Sequence, residues 1–235
     1  MATQSNKENF LTGLANALED QWLVDVRLKA GDSDEDSAIS VHKLILGSRS
    51  KVFRKMFESE EVKTSANDVE TVTLSEMKQE ELEALVEFMY SDGSLLSAKG
   101  KQHFRSLYLV ADRYEVLHLR DLCRDELISF LNSSNALEVL ELAQNPFDKV
   151  LNDATFNYIK KNISTIASSD EFKMFVANNP DLSVEIMSAS LSLASINDDE
   201  EVVQVKEEVV QVKVDEVAVV RRSTRLRKPN RKYSD

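Results

Sequence analysis

The chain has 235 residues, and its 41 acids against 29 bases give a formal net charge of −12. An apolar share of 42% can bury a core, whereas only 5 Gly and 3 Pro favour helices over a turn-rich all-β fold. A single Cys excludes an intramolecular disulfide framework and a multi-cysteine metal cluster, and the acidic balance disfavours membranes and sequence-specific nucleic acid as partners of the folded body.

No apolar run approaches the roughly 20 residues of a membrane span. The first ten residues, MATQSNKENF, lack the basic-then-apolar layout of a secretory leader. A location in nucleus and cytoplasm is expected.

Phe10, Leu11, Leu14, Leu18 and Trp22 recur at near-helical spacing and predict an amphipathic first helix. Its apolar stripe is a candidate dimer interface; the plainer alternative is that it caps its own core. In residues 23–30, Val24, Val26 and Leu28 alternate with Asp25, Arg27 and Lys29, which is a strand period. A second short strand follows at 38–42, so the pair reads as a hairpin around an acidic loop. Asp32, Asp34 and Asp36 match the first three ligands of an EF-hand loop, but Ser37 and Lys43 stand where Gly and Glu are required. The loop is therefore read as a solvated turn.

Leu44, Ile45 and Leu46 predict a short apolar helix, and Val52, Phe53, Met56 and Phe57 mark a second. The segment Thr71-Val-Thr-Leu74 has the β-branched character of a third strand. Ser75 offers a cap for a helix carrying Leu82, Leu85, Val86 and Met89 on one face. Phe104, Leu107, Tyr108 and Ala111 repeat that period, as do Leu119, Leu122, Cys123 and Leu127. Cys123 is thus expected in the core as a small hydrophobe. From residue 132 onward only helices are predicted. Asn135 with Glu138 has the spacing of a capping box, Pro146 ends that helix, and Leu151, Ala154, Thr155 and Tyr158 mark the next. Phe172, Phe175 and Val176, then Val184, Met187 and Leu191, predict two more, split at Pro180. The expected division is an N-terminal dimerisation helix region at 1–22, an α+β domain at 23–131, a helical extension at 132–196 and a disordered tail at 197–235.

The tail has two opposed halves. Residues 198–220 carry eight acids and two lysines, net −6, and residues 221–235 carry seven bases and one acid, net +6. Glu201-Val-Val-Gln-Val-Lys206 recurs as Glu208-Val-Val-Gln-Val-Lys213. Val202, Val203, Val205, Val209, Val210 and Val212, flanked by acids, resemble SUMO-interacting motifs that add a strand to a sheet edge. An acidic disordered linker is the competing reading. Arg221, Arg222, Arg225, Arg227, Lys228, Arg231 and Lys232 form a basic run suited to an importin. A solvated tail is its alternative.

No catalytic residue and no cofactor are expected. His42, His103 and His118 are far apart in sequence, and no Gly-rich phosphate loop, Gly-x-Ser-x-Gly elbow or His-Glu-x-x-His occurs.

Asp25-Val-Arg-Leu28, Val41-His-Lys-Leu-Ile-Leu-Gly-Ser-Arg-Ser50 and Val52-Phe-Arg-Lys-Met-Phe57 resemble the signature of BTB/POZ domains. So do Phe88-Met-Tyr-Ser-Asp-Gly93, Leu109-Val-Ala-Asp-Arg-Tyr114 and Leu119-Arg-Asp-Leu-Cys123. The resemblance runs over residues 8–131. The helices after 132 resemble the shortened BACK extension of speckle-type POZ proteins, and the whole is similar to plant BTB/POZ proteins without a MATH domain. The fold implied is a small β-sheet flanked by helices, then an all-α extension.

The function implied is a non-catalytic, homodimeric adapter of a cullin-3 RING ubiquitin ligase that recruits a target. The alternative is a dimeric nuclear scaffold or co-regulator that binds no cullin. The resemblance implies an approach of Asp25 to Lys43, and cullin contacts at Glu60, Glu61, Val62, Tyr90, Leu95, Leu137 and Leu140. Speckle-type adapters place an apolar residue, any residue and Glu in the first of these loops, where this chain reads Glu60-Glu61-Val62-Lys63. With no target-reading module recognised in the sequence, the target is expected to bind the helical extension or the tail, unless the partner is another BTB chain.

Overall fold

In the computed structural model, which describes residues 5–58 and 69–190, the alternation along Val26–Ala30 forms the central strand β1. Val26, Leu28 and Ala30 are buried, while Arg27 and Lys29 turn outward. β1 pairs antiparallel with β2 (Ile39–Val41) and parallel with β3 (Glu70–Leu74), giving the order β2-β1-β3. The acidic turn between β1 and β2 is tied back to the sheet, with Lys29 on Glu35 at 2.7 Å and Arg27 on the Glu35 carbonyl at 2.8 Å.

The helices up to residue 161, in chain order, are α1 (Asn6–Glu19), α2 (Lys43–Arg49), α3 (Lys51–Glu58), α4 (Gln79–Tyr90), α5 (Ala98–Gln102), α6 (Phe104–Arg113), α7 (Leu117–Ser129), α8 (Ala136–Leu142) and α9 (Lys149–Lys161). This is the α+β arrangement expected of a small sheet flanked by helices. α4 is the central one: Leu82, Ala84, Leu85, Val86, Phe88, Met89 and Tyr90 are all buried. Cys123 is buried as expected, and burial pushes its thiol up to about 12.

A helix this enclosed must have its end groups satisfied by protein. At its N-terminus the Gln79 N–H donates to Asp32 and the Lys78 N–H to Glu81, each at 2.9 Å. The expected Ser75 cap is thus replaced by a carboxylate from the β1–β2 turn. Gly31 lets that turn approach, since a Cβ there would lie 2.3 Å from the Ser75 carbonyl oxygen. At the C-terminus the Arg49 guanidinium donates to the carbonyls of Phe88 (2.7 Å), Met89 (3.1 Å) and Ser91 (3.0 Å) and lies 4.5 Å from the Phe88 ring centre. Gly93, at φ +72°, makes room for it, because a Cβ would meet Arg49 Nη2 at 2.5 Å.

Several other expectations are corrected in detail. β1 begins at Val26 rather than residue 23, because α1 closes in a Schellman turn. Gln21 takes φ 53°, its N–H donates to Leu18 and the Trp22 N–H to Ala17, and Leu23 also has positive φ. The same turn closes α6 at Glu115, φ 50°. Without glycine at either place, the sequence carries no stop signal there. The five-residue α5, capped by Ser97, is an element the apolar periodicity does not announce. Asn135 forms no capping box: its Oδ1 accepts from the Asn132 N–H at 2.8 Å, and Glu138 pairs with Arg105 at 2.5 Å. The Asp25–Lys43 approach is a backbone bond, Lys43 N–H to Asp25 at 2.7 Å, while the Lys43 ammonium pairs with Glu70 at 2.7 Å.

α9 is joined to the body through Asp148. One carboxylate oxygen caps the helix, accepting from the Val150 and Leu151 N–H groups at 3.0 and 3.1 Å. The other accepts from the Tyr108 hydroxyl (3.1 Å) and Arg124 (3.3 Å).

A second compact unit begins at Ile159. It contains α10 (Ile163–Ile166), α11 (Asp170–Asn178) and a further helical stretch at 180–190. Ser169 caps α11, and the buried Phe172 and Phe175 rings stack with centres 6.5 Å apart. In the last stretch Ser183 and Ile186 are the buried face, whereas Val184 and Met187, expected inside, are exposed. Leu191 and the tail lie outside the described residues.

Replacing Arg49 by Met leaves the Met89 and Ser91 carbonyls without the donor that serves them, while the Phe88 carbonyl keeps its bonds from Ser91. Stability should fall by about 2–3 kcal/mol, the scale of a charged hydrogen-bonding group lost, as measured by urea unfolding. A second prediction concerns pH. Burial raises the Asp148 carboxyl, but the Leu151 N–H, Arg124 and Tyr108 outweigh it and hold the group below its ordinary value. That contribution is present above the unfolded value of about 3.9 and is lost as pH falls through the lower folded one. Asp148→Asn should therefore unfold more readily at neutral pH and lose less stability than the unaltered chain below pH ~4, checked by denaturation at stepped pH.

Candidate functional site

The face formed by α1, the 20–25 turn and the start of α2 collects large apolar side chains that the chain leaves uncovered. It is organised by one polar knot. The Trp22 carbonyl oxygen lies 2.7 Å from His42 Nε2, and since a carbonyl only accepts, Nε2 carries the proton in the neutral ring. Nδ1 is then the acceptor for the Tyr90 hydroxyl at 2.6 Å, and the same hydroxyl oxygen accepts from the His42 backbone N–H at 3.0 Å. Burial pushes the Tyr90 phenol up to about 12, with the Asp25 carboxylate adding to burial and the His42 N–H opposing it. The phenol therefore stays neutral, and the knot fixes the Trp22 backbone against α4 and α2.

The side chains around that fixed backbone point to solvent. Trp22 is 65% exposed, Leu23 70% and Leu44 78%. They border a groove of about 340 Å³ whose wall includes Leu14, Ala17 and Ile45. Three large apolar groups on a rigid backbone form a surface suited to a protein partner. Leu23 and Leu44 are absent from the sequence-predicted interface. The signal for Leu44 was available: three successive apolar residues, Leu44 to Leu46, are spread by 100° each around a helix, so they cannot share one buried face. Only Leu46 of the three is buried.

The predicted dimer residues divide. Phe10 and Trp22 are exposed, while Leu11, Leu14 and Leu18 are half-buried, the last two packing on the core. Of the predicted cullin-contacting residues, Leu95 is 74% exposed just beyond the Arg49-held turn. Tyr90, Leu137 and Leu140 are buried, so they shape that surface without lending it side-chain area. Glu60, Glu61 and Val62 lie outside the described residues, as do the valine and basic clusters of the tail. Among the described residues no group of three or more His, Cys, Asp or Glu could hold a metal ion, and no helix is long and apolar enough to cross a membrane.

Tyr90→Phe keeps the ring and removes the hydroxyl, leaving the His42 N–H and Nδ1 without their shared partner. A loss of about 1–3 kcal/mol is expected. Fluorescence of Trp22, the sole tryptophan, should report the freed turn before global unfolding in a denaturant titration.

A family model described as "BTB/POZ domain" matches residues 15–131. The BTB/POZ domain-containing protein At5g48510 of Arabidopsis thaliana is 70% identical over 191 residues, 81% of this chain and 85% of that protein. The putative BTB/POZ domain-containing protein At2g40450 of the same plant is 65% identical over 196 residues, 83% of this chain and 94% of that protein. Among solved structures, the BTB domain of zebrafish PATZ1 matches with a TM-score of 0.41 and 16% identity, over 54% of this chain and 97% of that one. No enzymatic family is indicated by these matches. On the strength of the two plant relatives and the family model, the chain belongs to the BTB/POZ domain family.

Proposed function

We propose that this BTB/POZ protein is a homodimeric adapter that joins a cullin-3 type scaffold to a target for ubiquitination. The observation that carries the reading is the uncovered cluster of Trp22, Leu23 and Leu44 on a backbone held by His42 and Tyr90. A surface of this kind is costly to leave in water, and a two-fold contact would cover it on both copies at once. Leu95, exposed beyond the end of α4, supplies an apolar contact for the scaffold. Val62, between α3 and β3 in the sequence, is read as a second. Nuclear entry through the basic run at Arg221–Lys232 and SUMO docking through Val202–Val212 belong to the same reading and rest on the sequence.

A second reading, a dimeric nuclear scaffold that binds no cullin, is favoured by one feature: Lys63 and Thr64 follow Val62, where speckle-type adapters have Glu two places after the apolar residue.

The purified chain should sediment as a dimer, with Trp22 emission shifted to the blue relative to a Leu23→Asp/Leu44→Asp variant, which should sediment as a monomer with unchanged circular dichroism. Calorimetric titration with the N-terminal region of a cullin-3 protein should give micromolar or tighter binding, abolished by Val62→Asp and weakened about tenfold by Leu95→Asp. A dimer that does not associate at micromolar concentration selects the scaffold reading.

A further inference from the structure

α1 presents two apolar faces rather than one. Leu14 and Ala17 line the groove beside Trp22, whereas Leu11, Ala15 and Leu18 line a separate groove of about 540 Å³ against the C-terminal end of α4. At 100° per residue the two sets are turned from each other by roughly a quarter of a circle. Contact between copies across the Trp22 face therefore need not consume the second groove.

The second groove differs in its rim. Glu19 of α1, Glu87 of α4 and Asp92 of the following turn border it. Asp92 accepts from the Ser94 hydroxyl and N–H at 2.7 and 2.9 Å and from Lys7 at 2.9 Å, which hold its carboxyl well below the usual range and keep it anionic. Glu87 is bound by the Ser97 hydroxyl at 2.7 Å and is exposed. The Lys7 ammonium on Asp92 shows that this rim seats a cation on the end of a flexible side chain.

An apolar floor with carboxylates of one sign above it selects among partners. Nucleic acid and anionic lipid are repelled by the rim, and a small cation gains nothing from the leucines. What satisfies both features is a peptide with an aliphatic residue between arginines or lysines: the aliphatic group covers Leu11 and Leu18, and the flanking cations meet Glu19 and Glu87.

We propose that the α1–α4 groove docks a basic, leucine-containing peptide segment of a partner protein. The inference rests on the adapter reading only in calling that partner a target, and its test uses no cullin, so the two fail separately.

The probe is a fluorescent synthetic peptide of composition Arg-Arg-Ser-Thr-Arg-Leu-Arg-Lys, titrated by anisotropy into the full chain and into a full chain whose Arg221, Arg222, Arg225 and Arg227 are changed to Gln. Saturable micromolar binding at low salt is expected with both. Glu19→Lys/Glu87→Lys should weaken it at least tenfold, with melting temperature as the folding control, and Leu→Ala in the peptide at least fivefold. Leu11→Asp should weaken it as well, while the surface double variant keeps the test decisive if Leu11→Asp misfolds. Binding only to the Arg→Gln chain would overturn the partner and assign the groove to the chain's own basic run. No binding to either, or binding indifferent to the groove substitutions, would overturn the site.

Discussion

The carbonyl oxygens at the C-terminal end of α4 are the constraint on which the rest of the molecule is arranged. A helix buried along nearly its whole length delivers its last carbonyls into a region where water cannot serve them, and each one left unpaired costs on the order of 1–3 kcal/mol. Arg49 answers for three of them from a neighbouring helix, with its guanidinium plane against Phe88. One side chain thereby fixes α2 to α4 and sets the turn that ends in the exposed Leu95. Lysine would not be equivalent, because its ammonium lacks the flat face that lies against the Phe88 ring.

From that fixed end the chemistry of the Trp22 face follows. Tyr90 is the last residue of α4, so holding the helix end holds the phenol, and the phenol holds His42. His42 in turn accepts no freedom: one ring nitrogen is committed to Trp22 and the other to Tyr90. A backbone turn with positive φ at Gln21 and Leu23 is kept in place by these bonds. The backbone that carries its apolar side chains is thus already held, and less backbone freedom would be lost on covering them.

The elements with a strong period were legible in the sequence, and their ends were not. The alternation in β1 and the i, i+3, i+4 pattern of α4 are statements about which face is buried, and burial decides them. The boundaries depend on residues distant in sequence: Asp32 starts α4, Arg49 finishes it, and Asp148, which caps α9, is itself held by Tyr108 and Arg124. Local cap rules pointed to Ser75 and to Asn135 with Glu138, but Asp32 meets the start of α4, Arg105 takes Glu138, and Asn135 accepts from the Asn132 N–H instead. For the site, the first-helix stripe was visible as a period, but its division into two faces was not. Leu23 escaped because its exposure follows from a left-handed turn, made without glycine, that no residue type announces.

α1 itself shows why those faces matter. An isolated helix of 14 residues is marginal in water, and α1 has no fully buried residue with which to gain stability from the core. It is held by its ends and one flank: Ser5 and Glu8 form a capping box, the Schellman turn closes the other end, Lys7 reaches Asp92, and Leu14 and Leu18 lean on the core. Those contacts fix its direction but leave Phe10 and both grooves open. A helix so thoroughly capped and so little buried is stabilised further by anything that covers either flank. Binding there and order in the first helix are therefore one equilibrium, and each strengthens the other.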